Sequence, residues 1–452
     1  MNETLGLAKR VCEITDAILT AERLLDIRYK LLDWFGCAVG VVGTELTRRL
    51  SVAFDSEAGC GNSTVFCCEK NYPLLTAAFL NGAQSHILEC DDVHKSAITH
   101  PGIVAVTAAL MASEHTGASF RDFALGSVAG YEVMIRLGNA LNPSHYDHWH
   151  TAGTCGTFAA TAAAAKVFDL DAKTLERAFG IAATMASGLT CVFGTDAKLV
   201  TIGNAIRNGI QAALMAQAGV TSVENVIGRT GGYACAVSRL DNYAALAEET
   251  DVPMIDTACY KMYASCGHTH SALDALFSLL KERSFRAEEV EHIEVRVYTK
   301  AGELIGEFKN ESPSRAKFSL PYCVSAAMID GAVSVRQFLP ERIGADDLRK
   351  FARKVFVTTE PEYDKFYPQK RIETVAVTLK SGETLSKTVE LPLGRPPYSF
   401  VEDKFATLAG MTMRPETVQS MKDLILEFDF TGSVRILTQK LKGMIDNGKL
   451  HD

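Results

Sequence analysis

The chain has 452 residues, 47% of them hydrophobic and 22% charged, the balance of a globular protein and not of a disordered or collagen-like one. Lys and Arg number 46 against 54 Asp and Glu, a net charge of −8, with a pI near 5.8. Nucleic-acid binding, which needs a basic face, is disfavoured, whereas a few buried cations can still hold a small anion. No apolar run reaches the ~18–20 residues of a membrane span. Met1 to Arg10 carries an acid and no apolar signal core, so no membrane anchoring and a cytoplasmic location are expected. Twelve cysteines without a C-x-x-C pair, several in Ala-rich or apolar surroundings, read as reduced thiols. The length predicts two or three domains, or one large core carrying a lid.

Apolar spacing of three and four predicts helices over 7–20, 21–36, 73–89, 102–115 and 120–141. A run dominated by alanine predicts a closely packed helix over 156–168, and helices over 172–188 and 203–219 complete a helical block. Gly-rich stretches at 57–62 and 228–232 mark loops. The texture changes after about residue 265. A helix is predicted over 271–280. Residues 291–300 alternate Ile293, Val295 and Val297 with polar neighbours, a half-buried strand. Residues 374–391 read as a hairpin turning at Ser381-Gly382, with helices over 322–332 and 345–355 around it. Helices over 401–409, 415–428 and 433–444 follow and are expected to pack back onto the first block. The expected architecture is mainly α: an all-helical unit over 1–265 completed by 395–452, and a smaller α+β lid over 266–394.

There is no Walker A loop, no G-x-G-x-x-G after a strand, no G-x-S-x-G and no H-E-x-x-H, which lowers nucleotide hydrolysis, dinucleotide redox and the common hydrolase plans. Four polar clusters remain. Glu89-Cys90-Asp91-Asp92-Val93-His94 with Thr99-His100-Pro101 puts carboxylates beside imidazoles. That suits acid–base chemistry, a metal site, or simple helix capping in a solvated loop. In His145-Tyr146-Asp147-His148-Trp149-His150, a histidine precedes a helix N-terminus, where anionic ligands bind; a surface loop with chance histidines is the plain alternative. Asp196-Ala197-Lys198 is weak alone, since a single lysine is usually a solvated charge. Lys261 to His270 packs Lys, Tyr, Cys and two His into ten residues. Cys266 there is a candidate reactive thiol; a zinc site of Cys266, His268 and His270 lacks a clear fourth ligand.

In this order the clusters resemble the MmgE/PrpD family, which includes 2-methylcitrate dehydratase, iminodisuccinate epimerase and cis-aconitate decarboxylase. The stretches that carry the resemblance are AAFLNGAQSHILECDDVH with ITHPG, HWHTAGTCGTFAATAAAAKVF, DAKLVTIGNAIRNGIQAALMAQAG, YKMYASCGHTHSALDAL and AKFSLPYCVSAAMIDG. The resemblance implies a helical domain with an α+β lid, a homodimer, and no metal or organic cofactor. It implies a pocket in which His100, His150, Lys198 and Tyr322 are catalytic, while Glu89, Asp91, Asp92, Lys261, Cys266 and His268 bind substrate. Glu89 stands where the decarboxylases have Asp, and Cys266 where they have a pocket His, as in the dehydratase and epimerase branches. The expected reaction is therefore dehydration of a small polycarboxylate by proton abstraction next to a carboxylate. Epimerisation is the alternative, decarboxylation the lesser one, and a carboxylate-binding protein the non-enzymatic reading.

Overall fold

A computed structural model describes residues 2–450 except 241, 242, 244, 245, 247–249 and 393. The first unit is a stack of helices: α1 (Glu3–Cys12), α2 (Ala21–Val39), α3 (Glu45–Val52), α4 (Leu74–Ser85), α5 (Pro101–Thr116), α6 (Phe120–Leu141), α7 (Thr151–Val167), α8 (Ala172–Ala183) and α9 (Ala197–Gln217). The alanine-rich α7 is its axis. Residues 151–165 are all buried, and α5, α6, α8 and α9 pack around them. Small side chains make this possible, because they let four neighbouring helices approach without voids.

Several predicted ends move. The helix expected over 7–20 stops at Cys12; Thr15 is extended and leads into a single tight turn at Asp16–Ile18. Ile14, Thr15 and Asp16 are poor helix formers, and the packed stripe of α1 is complete by Val11. Helix α7 begins five residues before its alanine run, and α9 begins at Ala197 instead of 203. Both shifts matter, since they put His150 and Lys198 at helix N-termini.

The smaller unit contains α10 (His270–Glu282), β1 (Val290–Val297), α11 (Thr299–Ile305), α12 (Leu320–Asp330), α13 (Asp346–Ala352), β2 (Val355–Thr359), β3 (Glu373–Leu379) and β4 (Thr384–Val389). Its sheet has the order β2-β1-β3-β4, with β1 and β2 parallel and the other pairs antiparallel. Ile293, Val295 and Val297 point into its core, as their alternation predicts. Strand β2 was masked in the sequence by the expected helix over 345–355, which ends at Ala352. Then α14 (Tyr398–Ala409), α15 (Pro415–Glu427) and α16 (Val434–Gly448) return to the helical unit, where α14 and α15 pack on α2 and α16 on α5. The lid's apolar core extends to Cys37, Val41, Leu88, Cys90 and Leu408 of the helical unit, so the two units share a dry seam. All twelve cysteines are free. Among the described residues, no helix is long and apolar enough to cross a membrane.

Candidate active site

Four helix starts converge on a cavity in that seam. His100 is the N-cap of α5, His150 is the N-cap of α7, Lys198 lies in the first turn of α9, and Cys266 to His268 lead into α10. All of them line one cavity, together with Glu89, Phe193, Phe318 and Arg371. Helix N-termini carry unpaired N–H groups and partial positive charge, so this convergence favours an anion. The cavity measures about 30 Å³, room for a water or two.

Glu89 is the centre of the arrangement. Its backbone is left-handed, φ 53°, a conformation a non-glycine residue seldom adopts outside turns and sites. One carboxylate oxygen accepts from Lys198 Nζ at 2.5 Å and the other from Lys261 Nζ at 3.2 Å, while Lys261 also donates to the Glu89 carbonyl at 2.8 Å. Burial alone would raise this carboxyl; the two ammoniums outweigh it and hold Glu89 well below the usual range. Asp91 accepts from His86 Nδ1 at 2.8 Å and from His100 Nδ1 at 2.9 Å. It too is held low against burial, by these two imidazoles. The Nε2 atoms of both histidines turn to Glu89, His86 at 3.5 Å and His100 at 3.4 Å. His100 thus lies between two carboxylates, one facing each of its ring nitrogens.

His150 is arranged differently. Thr201 Oγ1 lies 2.7 Å from both the Lys198 carbonyl and His150 Nδ1; when its one hydrogen goes to the carbonyl, Nδ1 is the donor of the second contact. In that arrangement the lone pair is on Nε2. Burial, then the charge of Lys198, pushes this imidazole well below its ordinary range. The ring is held by Phe193, edge on at 4.9 Å between centroids. Gly153 completes the placement: a Cβ there would sit 2.6 Å from the Ser187 carbonyl, whereas glycine lets this loop close and His150 N–H bond the Gly188 carbonyl at 2.9 Å.

Of the residues expected from sequence, the structure brings together Glu89, Asp91, His100, His150, Lys198, Lys261, Cys266 and His268. It does not bring Asp92 or Tyr322. Asp92 turns away and receives Gly102 N–H at 2.7 Å and the Tyr131 hydroxyl at 2.5 Å; it caps α5 from below, through the gap that Gly102 leaves, where a Cβ would lie 2.5 Å from Asp92 Oδ1. Tyr322 is fully buried in the lid core and donates to the Gln337 carbonyl at 2.5 Å, outside the cavity lining. Cys266 does line the cavity, but burial and Glu89 push its thiol up, which leaves it protonated and unreactive. His268 pairs through Nδ1 with the Tyr298 hydroxyl, so it does not gather with Cys266 and His270 as metal ligands. His86, Thr201, Lys317 and Arg371 belong to the site or its wall and were not singled out from sequence. Lys317 donates to the Ile87 carbonyl at 2.7 Å, and burial lowers it to about 8.

His86, Glu89 and His100 offer ligand atoms within 4.8 Å of one another, a spacing compatible with a metal ion. Two ammoniums on the same Glu89 carboxylate oppose a cation there, because they already supply its countercharge. A larger cavity, about 680 Å³, lies elsewhere, between α3 and α16. It is lined by mixed charges such as Arg48, Asp55, Lys442 and Asp446 and by no histidine, which suits a solvated groove and not proton transfer.

Comparison with known proteins agrees with the geometry. A family model described as the MmgE/PrpD N-terminal domain matches residues 6–245, and the MmgE/PrpD C-terminal domain matches 263–429. The chain is 26% identical to a cis-aconitate decarboxylase of Aspergillus terreus, over 95% of this chain and 94% of that protein. It is 24% identical to the cis-aconitate decarboxylase of Mus musculus, over 96% and 91% respectively. The corresponding human protein is 26% identical over 82% and 80%.

Proposed function

The chain belongs to the MmgE/PrpD family, and from that premise we propose that it is a lyase that needs no cofactor and acts on a small di- or tricarboxylate, as a 2-methylcitrate dehydratase does. The observation that carries this reading is the unlike surroundings of two histidines on one buried cavity: His150 faces the Thr201 hydroxyl and, among the described residues, no carboxylate, while His100 has both nitrogens turned to carboxylates. Pairs of titratable groups whose surroundings differ in this way divide into base and acid.

In the proposed reaction, His150 Nε2 takes the proton from the carbon next to a substrate carboxylate. The electron pair spreads onto that carboxylate, whose growing charge Lys198 and Lys261 stabilise in a dry site. His100 gives a proton to the β-hydroxyl, the C–O bond breaks, and water and an alkene leave. Glu89 holds the two lysines apart and in place until substrate arrives. If the proton returns to the opposite face of the same carbon, the outcome is epimerisation, as with iminodisuccinate. If a carbon is protonated and a C–C bond to CO₂ breaks, it is decarboxylation. The names of the relatives favour this last reading. Cys266, where the decarboxylases have a histidine, weighs against decarboxylation and fits the dehydratase and epimerase branches alike, between which the breadth of the family favours dehydration. The same membership leads us to propose a homodimer working in the cytoplasm.

The test is proton NMR of the chelator-treated protein in D₂O with 2-methylcitrate, citrate, cis-aconitate and iminodisuccinate in separate tubes. A new alkene signal from either citrate is expected. Itaconate-type vinyl signals from cis-aconitate would establish the decarboxylase reading, and deuterium entering a C–H position without a new compound the epimerase one. Binding without any exchange would overturn catalysis altogether.

A further inference from the structure

Arg371, two residues before β3, reaches from the lid into the same cavity. It is 6% exposed. A guanidinium has five N–H donors, yet a single side-chain hydrogen bond is made, from Nη2 to the Lys95 carbonyl at 3.0 Å. Its buried Nε has no partner. No carboxylate lies within 4.0 Å of it among the described residues, whereas Lys198 and Lys261 both pair with Glu89. The groups near it include the phenols of Tyr146, Tyr298 and Tyr367, the thiol of Cys266 and, beyond ion-pair distance, the carboxyl of Glu373. Burial raises the three phenols and the thiol, so none of these is an anion at neutral pH. Glu373, the nearest acid in sequence, accepts from Ala272 N–H at 2.6 Å and is itself pushed well up by burial. A buried cation with no carboxylate at ion-pair distance is costly to a fold, and such a cost is kept where a ligand supplies the missing contact.

Resting on the polycarboxylate reading above, we propose that Arg371 is the lid's anchor for a second substrate carboxylate, remote from the reacting carbon. One carboxylate of the substrate meets Lys198 and Lys261 on the helical unit; another meets the guanidinium fork on the lid, which is suited to two-point pairing with a carboxylate. The site then selects substrates with at least two carboxylates, and binding itself draws the two units together. Gly267 is part of the device. A Cβ at this position would lie 3.0 Å from Arg371 Nη1, so an alanine there would displace the fork by a few tenths of an ångström.

The test is calorimetric binding of propane-1,2,3-tricarboxylate, succinate and butyrate to the full chain and to Arg371→Gln, Arg371→Lys and Gly267→Ala. The expected result is a loss of about 30-fold or more for the tricarboxylate in Arg371→Gln, a smaller loss in Arg371→Lys, and no change for butyrate, which has a single carboxylate. Gly267→Ala, which keeps the charge, is expected to weaken the tricarboxylate about fivefold and to carry the test if Arg371→Gln does not fold. A structural role alone would lower the melting temperature and weaken all three ligands alike, which would overturn the anchor. Tricarboxylate binding unchanged in Arg371→Gln, or in Gly267→Ala where that variant stands in, would also overturn it and leave the proposed function standing. Failure of the unaltered protein to bind either polycarboxylate would overturn both.

Discussion

Two buried charge networks meet at residues 89–92, and they differ in what their charges face. On the cavity side, Glu89 and Asp91 hold His86, His100, Lys198 and Lys261, with an open space beyond them. Behind that stretch, Asp92 joins Lys30 at 3.6 Å, Lys30 joins Asp26 at 3.8 Å, and Lys404 joins Asp33 at 2.6 Å. The hydroxyls of Tyr131 and Tyr260 close that rear network by donating to Asp92 and Asp26, and Lys30 also rests over both rings, 4.9 and 5.1 Å from their centroids. In the proposed function the front network offers its cations to a ligand, while the rear one serves the fold. Neighbouring acids with the same appearance in sequence therefore do opposite work, and the direction in which each side chain leaves the backbone decides which.

The largest effects should come from the front. His150→Ala and Lys198→Ala should each lower kcat/KM at least about a hundredfold if they act as base and clamp, with circular dichroism unchanged; near-normal rates in both would remove the assignment. The rear network should answer in stability. Asp92→Asn should cost about 3 kcal/mol in urea unfolding, because Lys30 and the start of α5 lose a buried partner, while the folded fraction keeps its kcat/KM within about threefold.

A smaller effect tests the link between the two histidine states. Thr201→Val removes the acceptor that fixes the His150 tautomer, and should lower kcat about tenfold with little change in KM; Thr201→Ser should restore it. The pH profile sharpens the same point. A base must be unprotonated to work, and burial with Lys198 nearby lowers His150. The acid limb of kcat/KM should therefore lie below the ordinary histidine value of about 6.5, and a limb at or above that value would contradict the assigned base. The smallest effect is expected at Tyr322, whose hydroxyl serves the Gln337 carbonyl: Tyr322→Phe should cost about 1 kcal/mol of stability and leave turnover within about twofold.

The front network was legible in sequence where residues cluster. Glu89, Asp91, His100, His150 and the Lys261–His268 run lie in dense polar patches between apolar helices, and the helical unit and lid announce themselves by a change of period from about 3.6 to 2. What stayed hidden depends on three-dimensional burial. Arg371 sits among Tyr367, Gln369, Lys370 and Glu373, a setting that reads as a solvated turn before a strand. His86 ends an apolar helix and reads as an ordinary core residue. Thr201 follows the weak Lys198 signal by one helical turn, and nothing local says that its hydroxyl is used. Asp92 was read as a ligand because spacing along the chain does not report which way a side chain points; the small residue at Gly102 was the available hint that something approaches that helix start closely.

The most direct measurement is solvent-deuterium exchange by NMR, run with the substrate found in the panel, on His150→Ala and Asp92→Asn side by side. The account predicts that Asp92→Asn, once folded, forms product and exchanges the substrate's carbon-bound proton at nearly the unaltered rate, while His150→Ala loses both by at least about a hundredfold. Exchange that survives in His150→Ala and disappears in folded Asp92→Asn would mean that the reacting proton is handled by the rear network, and the division drawn between the two would be wrong.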